Sequence, residues 1–423
     1  MTSSPRSPHS PLTLPDQTLP LLAEGYAWLP NRMRETGGDV VRTRLAGRPV
    51  LALRGPEAVR FFYDERHVRR HGAVPGPVLS TLFGHGAVHT LDGDAHRARK
   101  ALFLPLLEQD AVTGSAKEIA AAWDDAVPSW AGREHVVLFD EVSRVITRGV
   151  CRWAGVPLDD AEAERTARDL IAMVDGFATP GPRHLRARRA RSRQEGRLAR
   201  LVSDVRSGAV EAPAGSVLEA VCGHRDASGE PLEPRTAAVE LLNVIRPTAA
   251  VTWFVAFAAH ALHRRPEYRE PLRDGDPAFA TAFVHEVRRF YPFAPFVGGR
   301  AVTELSWEGE RVPAGGLVLL DVYGQNHDAR WWEEPYAFRP QRFLGRRIDR
   351  DVLIPQGGGE PRSGHRCPGE RVVVGVLEAL AVRLARLEHR VPEQDLRISL
   401  RRIPARPRSG VVLADVRVPA GDS

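Results

Sequence analysis

Cysteine is scarce in this 423-residue sequence, which has only Cys151, Cys222 and Cys367. They form neither a C-x-x-C pair nor a zinc pattern, which excludes a disulfide framework and fits a reducing compartment. Lysine is almost missing, with Lys100 and Lys117 alone, so nearly all of the 59 basic residues are arginine. Against 53 acidic residues the net charge is only +6. The densest basic stretch, 184–193, reads as a solvated helix face, with attraction of anionic substrates as the second reading. No recognised nucleic-acid motif accompanies it, so no nucleic-acid partner is expected. Long apolar runs are also few. Residues 1–15 are rich in Ser and Pro and lack the apolar core of a secretory signal. Residues 21–29 are too short and interrupted to span a bilayer. The expectation is a soluble, cytoplasmic protein without stable membrane insertion: a flexible segment 1–15, then one domain, 16–423.

What is present is mostly helical periodicity. Apolar residues recur at helical spacing over 109–153, 161–205 and 237–263, the last a long run that should cross the core. A small β portion lies near the N-terminus, where 40–45 and 48–53 flank an Ala-Gly turn and predict a hairpin. A helix should open at Gly55-Pro56-Glu57, a surface loop fill 223–234, and a second small hairpin occupy 305–320. Apolar residues at 43% suffice for a large core.

The richest motif is Gly364-His365-Arg366-Cys367-Pro368-Gly369-Glu370, reached after Gln356-Gly357-Gly358-Gly359 and followed by an apolar helical pattern. Glycines that admit close backbone approach, a nearby arginine and a helix N-terminus all favour an anionic sulfur. The segment suits a thiolate ligand of haem iron; an ordinary buried cysteine is the alternative. Upstream, Glu286 and Arg289 share a helix face and can pair. Downstream of them, Phe338-Arg339-Pro340-Gln341-Arg342-Phe343 supplies another arginine.

In this order and spacing the three segments resemble the haem-thiolate cytochrome P-450 family. The resemblance runs from about residue 19 to the C-terminus. It implies a mainly α fold with a small β portion, haem b between a long central helix and the cysteine loop, and Cys367 as iron ligand. It also implies a buried triad of Glu286, Arg289 and Arg342.

The central helix reads Leu241-Leu242-Asn243-Val244-Ile245-Arg246-Pro247-Thr248. A buried arginine without a partner is costly, and proline removes a backbone donor and opens the helix. Adjacent unfavourable choices suggest a site, and a guanidinium suits bidentate binding of a carboxylate. Pairing of Arg246 with a structural Asp or Glu, or an outlet to the surface, remains open from sequence. Arg246-Pro247 stands where most family members place an acid and a threonine. With 82–84, 89–96, 181–184, 291–296 and the Gln-Gly-Gly-Gly lead-in, it resembles the bacterial fatty-acid peroxygenase branch.

That resemblance implies oxidation of fatty acids at the α or β carbon by hydrogen peroxide, through hydroxylation and possibly decarboxylation to terminal alkenes. Arg246 and Pro247 would act through the substrate carboxylate, which serves as the general acid–base, so no obligatory redox partner is expected. His89 would stand above the haem and bias the outcome; a loop histidine bonded to backbone is its plainer reading. His96, Lys100 and Arg99 match the haem-propionate positions, and His365, Arg366 and Gly369 belong to the cofactor loop. Phe83, Phe293 and Phe296 are candidates to line the acyl channel, and Ala294 stands where close relatives tend to have glycine. The alternative is a conventional monooxygenase that needs ferredoxin and a reductase and acts on another carboxylic acid.

Overall fold

The structure, a computed structural model, describes residues 15–418 apart from 178, 348 and 363. The expected N-terminal segment therefore lies, but for Pro15, outside the described residues. The periodic stretches resolve into pairs of helices: Gln109–Ala126 with Leu138–Ala154, and Asp160–Gly176 with Pro182–Arg206. Asp159 caps the third through a reciprocal box with Glu162, its carboxylate accepting the Glu162 N–H at 2.7 Å. A Cβ at Gly149 would lie 2.5 Å from Ile119 Cα, so that glycine sets how closely the first two helices cross.

The long central run forms two helices, Pro234–Ala249 and Val251–Arg264, interrupted at Ala250. Pro247 cannot donate to the carbonyl four residues earlier, and the interruption follows three residues on. The run Pro234–Arg264 is long and apolar enough to cross a membrane, yet 89% of its most apolar window is buried in the protein. It is the core of the largest apolar cluster, with Leu138–Ala154 and Glu370–Arg386 packed on it.

Five strands form the main sheet in the order Val40–Leu45, Arg48–Leu53, Leu317–Asp321, Phe296–Ala301, Val68–Arg69. The first two make the expected hairpin, and Ala46 and Gly47 both take the positive φ that a tight hairpin turn requires. The second hairpin is shorter than expected, Leu305–Trp307 against Glu310–Val312. Leu317–Asp321 instead runs parallel to Arg48–Leu53 and antiparallel to Phe296–Ala301. Its almost continuously apolar, buried sequence suits an interior strand, not a hairpin arm.

Candidate active site

Cys367 stands just before the Glu370–Arg386 helix. Its sulfur accepts the Gly369 backbone N–H and lies 3.8 Å from Gln356 Nε2. Burial pushes the thiol pKa up, while the Gly369 N–H and the charges of Arg288 and Arg246 pull the other way, toward a thiolate. Arg288 escaped notice in the sequence. It is almost fully buried, donates twice to Gln356 Oε1 at 2.9 and 3.1 Å, and pairs with Glu370. Arg366, expected to favour the sulfur directly, is turned to Glu370 at 2.7 Å and the Arg350 carbonyl at 2.8 Å. A Cβ at Gly357, Gly358 or Gly359 would strike Tyr63 or Val59, so these residues seat the loop on the Pro56–Tyr63 helix. A Cβ at Gly369 would meet nothing within 4 Å.

Behind this loop Glu286 and Arg289 pair through two parallel bonds of 2.7 and 2.8 Å, both side chains fully buried. Arg342 Nε approaches the same carboxylate at 3.2 Å, and the Arg339 backbone N–H donates to it at 2.7 Å. Arg289 spends its remaining donors on the carbonyls of Asn326, Pro335 and Ala337. The three side chains hold the Pro340–Phe343 turn to the Pro277–Phe290 helix.

Beside the cysteine loop the His96 and His365 rings stack 4.1 Å apart. His96 Nδ1 and His365 Nε2 are buried without hydrogen-bond partners. Lys100, one helical turn from His96, donates to the Gly364 carbonyl. Burial lowers its pKa to about 8, and burial with Arg70, His96 and Lys100 lowers that of His365 to about 2. Glu65, His96 and His365 lie close enough to share a metal ion. Lys100 and the buried Arg70 also stand there; each repels a cation, and with the free nitrogens of the two neutral imidazoles they suit carboxylates. Arg99 points elsewhere, pairing with the buried Glu240 at 2.8 Å, because adjacent helical positions diverge by about 100°.

On the central helix Arg246 is 5% exposed and has no hydrogen-bond or ion-pair partner among the described residues. Burial and the neighbouring Arg191 lower its pKa to about 9, so it remains a cation at neutral pH. Neither pairing with a structural carboxylate nor an outlet to the surface accounts for it. Its guanidinium stands 5.8 Å from the centre of the Phe83 ring, which in turn packs on His89 at 4.7 Å. His89 makes no hydrogen bond among the described residues, so the backbone-bonded reading fails, and burial followed by Arg246 lowers its pKa to about 3.

Arg191 belongs to the stretch read as a solvated face. Arg186, Arg188, Arg189 and Arg193 are indeed exposed. Arg191 itself turns inward, pairs with Glu195 at 2.6 Å and donates to the carbonyls of Leu82 and Phe83. Phe293 packs on Phe254 in the main core. Phe296 packs on Trp28 in a separate cluster at the sheet, which sets it apart from Phe83 and Phe293.

A half-buried cysteine loop flanked by basic side chains, two of them with unpartnered ring nitrogens, fits haem. Cys367 would hold the iron, and His96, Lys100 and His365, with the buried Arg70 beside them, would hold its carboxylates. These features define a haem-thiolate protein. A family model described as cytochrome P-450 matches residues 278–400. The solved structure of cytochrome P-450SP alpha in complex with (R)-ibuprophen is 40% identical, with a TM-score of 0.93 over 96% of this chain and all of that one. Cytochrome P-450 OleT in complex with arachidonic acid is 34% identical, with a TM-score of 0.93 over 96% of this chain and 98% of that one. A putative cytochrome P-450 of Mycobacterium tuberculosis is 33% identical over 153 residues; that match spans 34% of this chain and 32% of the relative's length. The chain belongs to the cytochrome P-450 family, in its bacterial fatty-acid peroxygenase branch.

Proposed function

We propose that this protein oxidises fatty acids at the α or β carbon with hydrogen peroxide, and that Arg246 holds the substrate carboxylate. The observation that carries the site assignment is a buried, charged guanidinium with no anion of its own among the described residues, in an Arg246-Pro247 pair that stands where an acid and a threonine would otherwise be. The ligands named for the two solved relatives, (R)-ibuprophen and arachidonic acid, are both carboxylic acids. When bound through Cys367, haem supplies cleavage of the O–O bond of hydrogen peroxide, which is itself the two-electron oxidant.

The chain's own contribution is binding, orientation and proton control. Arg246 can take a carboxylate bidentately in a setting of low dielectric, where the pairing is strong. A carboxylate fixed there serves as the acid–base group that this helix segment lacks, since Glu240 is committed to Arg99 and the Val88 N–H. The same anchor confines reaction to carbons near the acid group. His89 is neutral before substrate binds and offers an imidazole N–H, not an imidazolium. Peroxide carries both electrons, which removes the need for a redox partner, and the fold is that of soluble bacterial relatives, in keeping with a cytoplasmic enzyme.

The test is product analysis after mixing haem-loaded protein, myristic acid and hydrogen peroxide without NADPH or redox proteins. Hydroxymyristic acids or 1-tridecene, lost in Arg246→Ala, are expected. Turnover that appears only with ferredoxin and reductase overturns the reading in favour of a conventional monooxygenase.

A further inference from the structure

His89 has no hydrogen bond among the described residues to hold its ring, so packing on Phe83 and the backbone on either side place it. Among the described residues, that backbone is hydrogen-bonded to the central helix through Glu240. Glu240, on the same helix as Arg246, is fully buried, and its Oε1 accepts the Val88 N–H at 2.8 Å. The same oxygen takes Arg99 at 2.8 Å, and Oε2 takes Asn243 at 3.2 Å. Arg99 Nη1 also donates to the Gly86 carbonyl at 3.2 Å, so the ion pair grips the loop two residues before the bonded amide. Val88 opens the one-turn helix Val88–Thr90 that carries His89.

A buried ion pair is poor value for stability alone, because desolvation offsets most of its attraction. Here it fixes a distance. Glu240 and Arg246 lie six residues apart on one rigid helix, so anchoring Val88 to Glu240 fixes His89 relative to the carboxylate-binding arginine.

We infer that Glu240 is a positioning residue, which sets the product distribution by holding the His89 turn in register with Arg246. The inference rests on the peroxygenase reading for its products, while its structural half is independent of turnover.

Three variants separate positioning from folding. Val88→Pro deletes the donor and leaves the ion pair intact; Ala87 is extended and Val88 is the first helical position, both of which tolerate proline. Glu240→Leu with Arg99→Leu removes both charges together, so neither is left buried alone. Glu240→Gln keeps an acceptor and is the conservative control. In substrate-free protein, faster hydrogen exchange of the Val88 amide is expected in the double-leucine variant and near-normal exchange in Glu240→Gln.

With myristic acid and peroxide, the ratio among α-hydroxy acid, β-hydroxy acid and alkene should shift by about fivefold or more in Val88→Pro and in the double-leucine variant. Myristate affinity, read from the haem spectrum, should stay near that of the unmodified protein, and Glu240→Gln should keep its product ratio. On a His89→Gln background the loss of the anchor should shift the ratio no further. An unchanged ratio in folded Val88→Pro, or an equal shift with His89 already replaced, overturns the inference. Failure of the unmodified protein to turn over overturns the peroxygenase reading; unchanged Val88 exchange in the double-leucine variant then overturns the anchor as well.

Discussion

Arg191 and Arg246 are two buried guanidinium groups on neighbouring helices, and only Arg191 has a carboxylate partner. Arg191 raises the cost of charging Arg246, whose pKa it lowers after burial. A fold that tolerates this without neutralising the second arginine leaves an anion-shaped gap.

The first prediction follows from that gap. Arg246→Lys keeps a charge but loses the planar pair of donors, and should weaken myristate binding by about 1.5–3 kcal/mol. Affinity should also depend on pH in one direction. Below a pKa of about 9 Arg246 is protonated and binds the ionised acid, so affinity is flat there; above it the cation is lost and affinity falls. Titration of the haem spectrum with myristate from pH 6.5 to 10 checks both. Unchanged affinity in Arg246→Lys and Arg246→Ala removes Arg246 as the carboxylate ligand; affinity constant to pH 10 means that the guanidinium stays protonated throughout.

His89 gives the second. Its pKa, lowered to about 3, leaves the ring neutral throughout the working range. The ratio of alkene to hydroxy acid should therefore be flat between pH 5.5 and 8, even where the rate changes. His89→Gln should alter the ratio while leaving myristate affinity near its original value, because the guanidinium is untouched. A ratio that titrates with a midpoint near 6.5 would show that the ring is charged during turnover, against the burial described above.

Gln356 gives the third. Its Nε2 faces the sulfur of Cys367, and Arg288 holds its Oε1 from behind. Donors to a metal-bound thiolate lessen its electron donation. Gln356→Leu should therefore lower the haem reduction potential, with a smaller effect in Arg288→Lys, which keeps the charge. Redox titration of the two variants measures this. An unchanged potential in Gln356→Leu would mean that the Gly369 N–H alone governs the sulfur.

Cys367 and Arg246 were legible in the sequence because each breaks a local rule: a cysteine in a glycine-rich helix entrance, a charge before a proline in an apolar helix. Glu286 and Arg289 were legible through their helical spacing. Arg288 looked like one more arginine among many, because its role depends on Gln356 and Glu370, both more than 60 residues away. Arg191 was hidden because it bonds Leu82 and Phe83, more than 100 residues away, and because about 200° of helical rotation separates it from the exposed Arg189 and Arg193. Glu240 meets Val88 across 152 residues, and nothing in either local stretch announces the contact. The Leu317–Asp321 strand was misread because its partners, 48–53 and 296–301, are settled by the sheet and not by the nearest turn.

The triad gives the last prediction. Among the described residues Glu286 is the single anion paired with Arg289 and Arg342, and it also accepts the Arg339 backbone N–H. Removing it leaves one guanidinium fully buried and another nearly so, with no counter-charge, a loss of about 3–5 kcal/mol in comparable buried pairs. Glu286→Ala should thus reduce the yield of haem-loaded protein and lower the melting temperature by several degrees. Replacing Glu286, Arg289 and Arg342 together by apolar residues should recover part of that loss, since no charge is then left unpaired. Yet Arg289 also binds three loop carbonyls, which an apolar side chain cannot. Recovery should therefore be partial in thermal melting and poor in haem retention, measured as haem transfer to a competing apoprotein. Full recovery of both would mean that the triad serves charge balance alone, and that packing by itself holds the 333–343 segment against the Pro277–Phe290 helix.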